Sequence, residues 1–465
     1  MKQPSFFSKL ELIIPILIVN SFGLIGLFFY LPRSIVYYEY TIVLLALVFG
    51  KRSIYACIIF VLIFLLDLLN LFSSIYLFSI SDFLMNFRFG VLYKITLSQV
   101  LSFIILLGYI FFVLFTLVKY KSKVQGNKSF FYKLLIFLYF TVIVFDFLNG
   151  SSKVIKREKI FSIVDKNISS PLLKEYFSFL HYYKKSDDKK LMHQRADTSV
   201  TFNLLAKDTS KRQLLVLMES WGCINDSVVR EAFQDAVNAK LKLKSFKHTW
   251  GQTRFVGSTT SAEMRELLNL EGNYNFFIGN KSDQSDWYSI FDIKKKEGYD
   301  TYGFHAYTGK MFAREIWWKN VGLSHIFFRD DVLSASAIDN EKLDRGTPFL
   351  SIKDEILFDF MLKATEKSSR KFVYLLTVNS HLPFAGKFEQ SVPVKKMGIS
   401  SLPLSQEGKS QLSFILNQLL YFISKIDDTK WDDVLFVGDH IPPYLIANDR
   451  SFFSAKQVPY LYLSR

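Results

Sequence analysis

Long apolar runs fill the first third of the chain, and short apolar runs separated by polar turns fill the rest. Five long runs, at residues 10–31, 35–49, 54–72, 95–118 and 131–148, read as membrane-spanning helices. The second is short and carries Glu39. Lys2 and Lys9 precede the first run, and Lys51 and Arg52 lie between the second and third. Lys119, Lys121, Lys123, Lys128 and Lys133 cluster between the fourth and fifth. The positive-inside rule then places the N-terminus in the cytoplasm and everything beyond residue 150 outside. The first run reads as a span rather than a cleaved signal peptide, because it is too long and further spans follow it. Residues 74–94, with Asp82 and Arg88 among aromatics, predict an amphipathic segment on the outer surface.

Beyond residue 150 the pattern changes. Residues 151–210 combine many lysines with periodic Phe and Leu, which predicts an amphipathic helical linker. From 211 onward, strand-like runs at 214–218, 301–304, 372–378, 434–437 and 460–463 alternate with helix-like runs at 228–244, 261–270, 285–295, 353–365 and 409–426. This alternation predicts an α/β domain with a mostly parallel sheet. The expected organisation is a transmembrane domain (1–150), a linker (151–210) and an extracytoplasmic domain (211–465). In such sheets, sites gather at the C-terminal strand ends. Glu219, His305, Asn379, His381, Asp439 and His440 all fall there.

Composition sharpens this only in part. Half of the residues are hydrophobic, with 48 Phe and 24 Tyr, which suits lipid contact. The net charge is +15, but Lys and Arg are dispersed and largely flank apolar spans. Anionic lipid head groups account for that charge better than nucleic acid does. Of the two cysteines, Cys57 lies in an apolar run and Cys223 stands alone in the soluble part, so no internal disulfide forms there.

The chemistry concentrates in three places. One apolar strand ends on Glu219 and another on Asp439 and His440, while Gly257-Ser-Thr-Thr-Ser-Ala-Glu263 is a hydroxyl-rich turn. Carboxylates, an imidazole and a hydroxyl suggest a metal-dependent phosphate- or sulfate-ester enzyme. Thr260 and Ser261 read as helix caps, with Glu263 at the capping-box position relative to Thr260. Arg314 shares a helix with Trp317 and Trp318 and reads as an anion binder or a surface ion pair. His305 is either a residue behind the site or a core histidine. His181, His193, His248 and His325 read as structural or exposed.

In their order, these landmarks resemble the alkaline phosphatase/sulfatase superfamily. Within it they are similar to the membrane-anchored branch of lipoteichoic acid synthases and phosphoethanolamine transferases. The 257–263 stretch is similar to the Gly-x-Thr-Ser-x-Ala-Glu pattern of the synthases, which implies Thr259 as nucleophile. The phosphoethanolamine-transferase pattern, with its Thr directly after Gly, implies Ser258 instead. The resemblance implies one divalent metal, Zn or Mn, held by Glu219, Thr259, Asp439 and His440. Phe312-Ala313-Arg314 is similar to an aromatic-x-Arg phosphate-binding pair, with Phe where the synthases carry Trp. The stretch from Thr377 to Phe384 is similar to one that supplies a catalytic His, here His381. His305 is implied to contact substrate. No Cys/Ser-x-Pro-x-Arg pattern stands near residue 259, which argues against sulfate.

The resemblance implies a transferase in a bacterial inner membrane, with its catalytic domain on the outer side. It would move phosphoethanolamine or glycerol phosphate from a membrane phospholipid to a surface glycan or lipopolysaccharide through a phospho-Thr intermediate. A membrane-anchored hydrolase is the alternative. The third reading is a catalytically inactive, lipid-sensing member.

Overall fold

Strand β1 (Arg212–Met218) is apolar on both faces, and its two faces feed two separate cores. Leu214, Val216 and Met218 pack with Phe233, Val237, Leu357, Phe358, Leu416 and Leu419. These come from helices Ser227–Leu241, Asp354–Ala364 and Gln406–Lys425. Leu215 and Leu217 join Met264, Leu267, Ile290, Phe291, Trp317 and Trp318 on the other side. These belong to helices Thr259–Leu268, Ile290–Lys296 and Arg314–Asn320. A strand covered on both faces must be a continuous apolar run, as β1 is. Each fully buried Leu or Val contributes about 1.5–3 kcal/mol.

The computed structural model describes residues 11–28, 36–76, 97–154, 199–270, 288–336, 343–344, 349–384 and 386–465. Most of the expected amphipathic segment 74–94 and of the expected linker 151–210 lies outside them. The chain divides into two compact units. One comprises residues 1–84 and 95–184, the other 85–94 and 185–465.

In the second unit the remaining strands are β2 (Lys247–Arg254), β3 (Asp300–His305), β4 (His325–Phe327), β5 (Leu343–Asp344), β6 (Ser351–Ile352), β7 (Lys371–Leu376), β8 (Asp433–Gly438) and β9 (Gln457–Ser464). Seven strands form one sheet in the order β2-β9-β8-β1-β7-β3-β4, and β5 pairs with β6 in a second, two-stranded sheet. From β8 to β4 all neighbours are parallel. β9 runs antiparallel to both β8 and β2, so the sheet is mixed at one edge. β2 was not anticipated from the apolar pattern. Its sequence KHTWGQTR is mostly polar and only Thr253 is buried, as suits an edge strand. Gly251 leaves room for the Tyr460 ring, which a Cβ would meet at about 2.1 Å.

Helix starts follow local capping chemistry. The Asp226 side chain accepts from the amides of Val228 and Val229. Ser289 and Asp292 form a capping box at Ile290–Lys296. That box starts the helix later than the apolar pattern of 285–295 suggests.

The first unit contains helices Ile13–Val19, Ser21–Phe28, Tyr40–Phe49, Ser53–Tyr76, Leu97–Gly126 and Lys128–Val154. Among the described residues, two stretches are long and apolar enough to cross a membrane, Ser53–Phe72 and Val100–Gly126. They coincide with the expected spans 54–72 and 95–118. The expected span 35–49 is represented by the shorter apolar helix Tyr40–Phe49, and 10–31 by two short helices. The expected span 131–148 lies within Lys128–Val154. The unit turns its polar groups inward. Tyr40 donates to Asp67 at 2.9 Å and Asn70 to the Tyr37 hydroxyl at 3.1 Å, while Ile105, Phe111 and Phe115 are exposed. Apolar residues outward and paired polar residues inward are the arrangement hydrocarbon solvent favours.

Candidate active site

β1 and β8 are parallel neighbours, with Met218 opposite Gly438. Both strands end there, so Glu219 and Asp439 emerge side by side from the same sheet edge. The strand ends approach closely. A Cβ on Gly438 would lie about 2.1 Å from the Trp221 carbonyl oxygen. Ser220 adopts a left-handed conformation, φ 54°, and its amide donates to Asp439 Oδ1 at 2.7 Å. The loop after β7 braces the same point. Thr377 Oγ1 accepts from the Glu219 amide at 2.8 Å, and Ser380 Oγ donates to the Glu219 carbonyl at 2.6 Å.

Thr259 arrives separately, in the first turn of the helix Thr259–Leu268. Gly257, at φ 118°, makes the turn into it. Thr259 Oγ1 donates to Glu219 Oε2 at 3.2 Å and lies 3.3 Å from His440 Nε2. His440 Nε2 is also 3.3 Å from Glu219 Oε1 and from Asp439 Oδ2. Its Nδ1–H donates to the Ile441 carbonyl at 2.8 Å, which turns Nε2 toward the cluster. The four residues nominated for the metal therefore meet at one point. Ser258 Oγ is instead within 3.0 Å of Thr260 Oγ1 and 3.3 Å of Ser261 Oγ.

This donor set fits a divalent cation. Ligand atoms of Glu219, Asp439 and His440 all lie within 4.8 Å of one another, and all three residues are buried. Asp439 Oδ2 is buried and accepts no hydrogen bond among the described residues. Oxygen and nitrogen donors without thiolate suit Zn or Mn. Electrostatics agree. Burial, then the Glu219 carboxylate, pushes Asp439 well above the usual carboxylate range. Burial works against ionised Glu219 too, but the neighbouring His440 and His381 hold it below that range. Burial alone would lower His440, but Asp439 and Glu219 push it up to about 10. The cluster thus favours protons on Asp439 and His440 that a cation would displace.

The other nominated residues lie around this cluster. Arg314 is buried rather than on the surface, and it pairs with Glu263 through Nε at 3.1 Å and a terminal nitrogen at 2.8 Å. Trp318 Nε1 and Tyr374 OH donate to the same carboxylate at 3.0 and 3.2 Å. Glu263 is therefore not a capping-box residue. The N-cap is Ser258, without a side-chain cap bond, and Glu263 turns into the core to hold Arg314. Sequence reasoning missed this role. The spacing shows only that Glu263 stands one turn beyond Thr259 on the same helix face, and it carries no signal of the distant Arg314. Phe312 and Ala313 are both left-handed, φ 55° and 53°, and the Phe312 ring lies 5.1 Å from the Arg314 guanidinium. Such backbone strain concentrates at functional sites.

His305 is buried at the end of β3, with Nδ1 3.2 Å from the Leu376 carbonyl. Burial, then Arg314, lowers it to about 3, so it is neutral. Burial also lowers His381. The His381 ring meets Phe349 edge-on at 4.7 Å, and its Nδ1 has no hydrogen-bond partner among the described residues. His325 stacks on Tyr302 at 4.6 Å and His248 is exposed on β2. His181 and His193 lie outside the described residues. Asp354 was not anticipated either. It is buried and accepts from the Val378 and Asn379 amides at 3.1 and 2.8 Å, which anchors the loop that carries His381.

Residues 211–461 match the family model described as Sulfatase. No curated protein matches the chain. Among solved structures it is similar to the lipoteichoic acid synthase LtaP from Listeria monocytogenes, at 19% identity over 55% of this chain and 65% of that one, TM-score 0.39. It is also similar to the integral membrane protein lipooligosaccharide phosphoethanolamine transferase A (EptA) from Neisseria meningitidis, at 15% identity over 90% and 78%, TM-score 0.46. A third is the phosphoglycerol transferase GacH from Streptococcus pyogenes, solved with sn-glycerol-1-phosphate, at 16% identity over 61% and 73%, TM-score 0.37. The chain thus spans just under two thirds of LtaP's length.

Proposed function

The chain belongs to the sulfatase family, and from that premise we propose that it is a membrane-anchored, metal-dependent phosphotransferase. It takes a phosphorylated head group, phosphoethanolamine or glycerol phosphate, from a phospholipid and delivers it to a hydroxyl on a surface glycan or lipopolysaccharide. The observation that carries this reading is the placement of the Thr259 hydroxyl against both Glu219 and His440 in a buried cluster.

Glu219, Asp439, His440 and Thr259 would hold the ion, Zn or Mn. When bound, it supplies Lewis acidity that favours the Thr259 alkoxide and neutralises phosphoryl charge. Thr259 Oγ bonds to phosphorus and the diacylglycerol oxygen leaves, taking a proton. The acceptor hydroxyl then attacks phosphorus, loses its proton and releases Thr259. The first turn of the Thr259–Leu268 helix presents its positive dipole end to the developing negative charge. Arg314, held by Glu263 with Phe312 against its guanidinium, contributes positive charge toward the phosphoryl oxygens. His381, which burial favours in the neutral form, would accept the proton released by the attacking hydroxyl and pass it to the oxygen that leaves, the diacylglycerol oxygen in the first step and Thr259 Oγ in the second.

Intact-mass spectrometry after incubation with defined phospholipids tests the proposal. A head-group adduct on Thr259 is expected, and its mass names the head group. An unmodified protein with every donor lipid would sink the reading. Product analysis with and without a glycan acceptor separates transfer from hydrolysis.

A further inference from the structure

Arg265 lies further along the Thr259 helix, and its side chain is wholly buried. Its Nε donates to Glu266 Oε1 at 2.6 Å, one terminal nitrogen to the Arg254 carbonyl at 2.8 Å, and the other to the Gly438 carbonyl at 3.1 Å. Neither carbonyl is arbitrary. Arg254 is the last residue of β2, just upstream of the turn into Thr259, and Gly438 is the last residue of β8, directly before Asp439. Glu266 is also wholly buried, and its second oxygen accepts from the Thr201 amide at 2.9 Å and the Thr201 hydroxyl at 2.6 Å. The plainer account is a buried ion pair that satisfies its own charges. That explains Arg265 with Glu266, but not why the two remaining donors go to strand ends on either side of the site.

Glu219, Asp439 and His440 come from two adjacent strands whose register already fixes them. Thr259 comes from another element and needs its own reference to that edge. We propose that Arg265 is a positioning residue. By binding the Gly438 and Arg254 carbonyls it locks the Thr259 helix against the strand end that carries Asp439 and His440. It thereby sets the reach of Thr259 Oγ toward the metal. The proposal rests on the metal-site reading above and adds to it the residue that aligns its parts.

The test uses the full-length protein in detergent with Co²⁺ as a visible-absorbing probe. Wild type, Thr259→Ala and Arg265→Lys are compared for Co²⁺ affinity, visible spectrum and melting temperature without metal. Lysine keeps the charge beside Glu266 but cannot serve both carbonyls. Arg265→Lys is expected to bind Co²⁺ within about threefold of wild type, because the three strand-end ligands are untouched, while its spectrum moves to that of Thr259→Ala. Head-group transfer falls about 100-fold, the scale of a 1 Å misplacement. A wild-type spectrum with only a lower melting temperature would overturn the proposal, leaving Arg265 a packing residue. If Arg265→Lys does not fold, Arg265→Met/Glu266→Leu carries the same comparison, since buried pairs tolerate apolar replacement of similar volume. Failure of both to fold also overturns it. Failure of the metal reading is separately visible, as wild type that takes up no Co²⁺ or a Thr259→Ala spectrum identical to wild type, and either result removes the proposal with it.

Discussion

The sheet supplies the candidate site from two regions built on different principles. At its centre, β1, β7 and β8 are buried along nearly their whole length; β1 and β8 deliver Glu219, Asp439 and His440 just past their ends, and the loop after β7 carries His381. At its edge, β2 is polar and largely uncovered, yet it leads into the turn that carries Thr259. Glu219 and Asp439 are placed by strand register, which hydrophobic burial enforces, and His381 by the loop that Asp354 anchors. Thr259 is placed by side-chain bonds made along its helix, through Glu263 to Arg314 and Tyr374, and through Arg265 to Gly438. Apolar pattern can therefore secure the candidate ligands, whereas the proposed nucleophile, at a polar edge, needs a dedicated polar network.

The largest expected effect tests the edge. Thr259→Ala should lower turnover by about four orders of magnitude or more, on the scale of dismantling a catalytic unit. Intact-mass spectrometry should find no phosphorylated adduct. Near-normal turnover would move the nucleophile elsewhere. The next tests the centre. Asp439→Asn should weaken metal binding by at least the roughly 100-fold that loss of a ligand's supporting partner costs, with activity falling in parallel. Metal analysis by plasma emission reads the first quantity, and full occupancy with normal turnover would show that the ligand set is misassigned.

A smaller effect probes the link between the regions. Glu263→Gln should lower kcat by about tenfold, since Arg314 loses a charge-assisted pair of the kind worth about 1.5–3 kcal/mol. Metal content should stay unchanged, and a loss of metal instead would make Glu263 part of the metal centre's support. The smallest expected effect is Ser258→Ala, within about threefold of wild type, because its hydroxyl bonds Thr260 and Ser261 rather than the cluster. A complete loss there, with Thr259→Ala active, would reverse the two roles.

The same contrast explains what could be read from the sequence. Central strands were legible because burial on both faces demands apolar runs such as Leu214–Leu217 and Val434–Val437, and the polar residues that end those runs mark the site edge. β2 was not legible, since KHTWGQTR carries no alternation strong enough to announce a strand. The direction of β9 was hidden as well, because period-2 burial is the same in either sense. Glu263 was assigned from local spacing to a cap, while its partners Arg314, Trp318 and Tyr374 lie far away along the chain, where spacing carries no signal. Arg265 and Asp354 were silent for the same reason. Each acts on backbone groups, which every sequence possesses.

A ligand pair set by neighbouring strands rather than by a loop has a consequence for how such a protein can diversify. Insertions in loops that pack against neither strand end leave Met218 opposite Gly438, so such loops can be exchanged without retuning the candidate metal centre. A single-residue deletion inside β8 would have the opposite outcome. Successive strand side chains point to opposite faces, so Asp439 would swing away from Glu219 although every residue type was retained. Variation in the family should therefore collect in loop length and spare strand length, and grafts between members should succeed when they are cut after the strand ends and fail when they are cut within them.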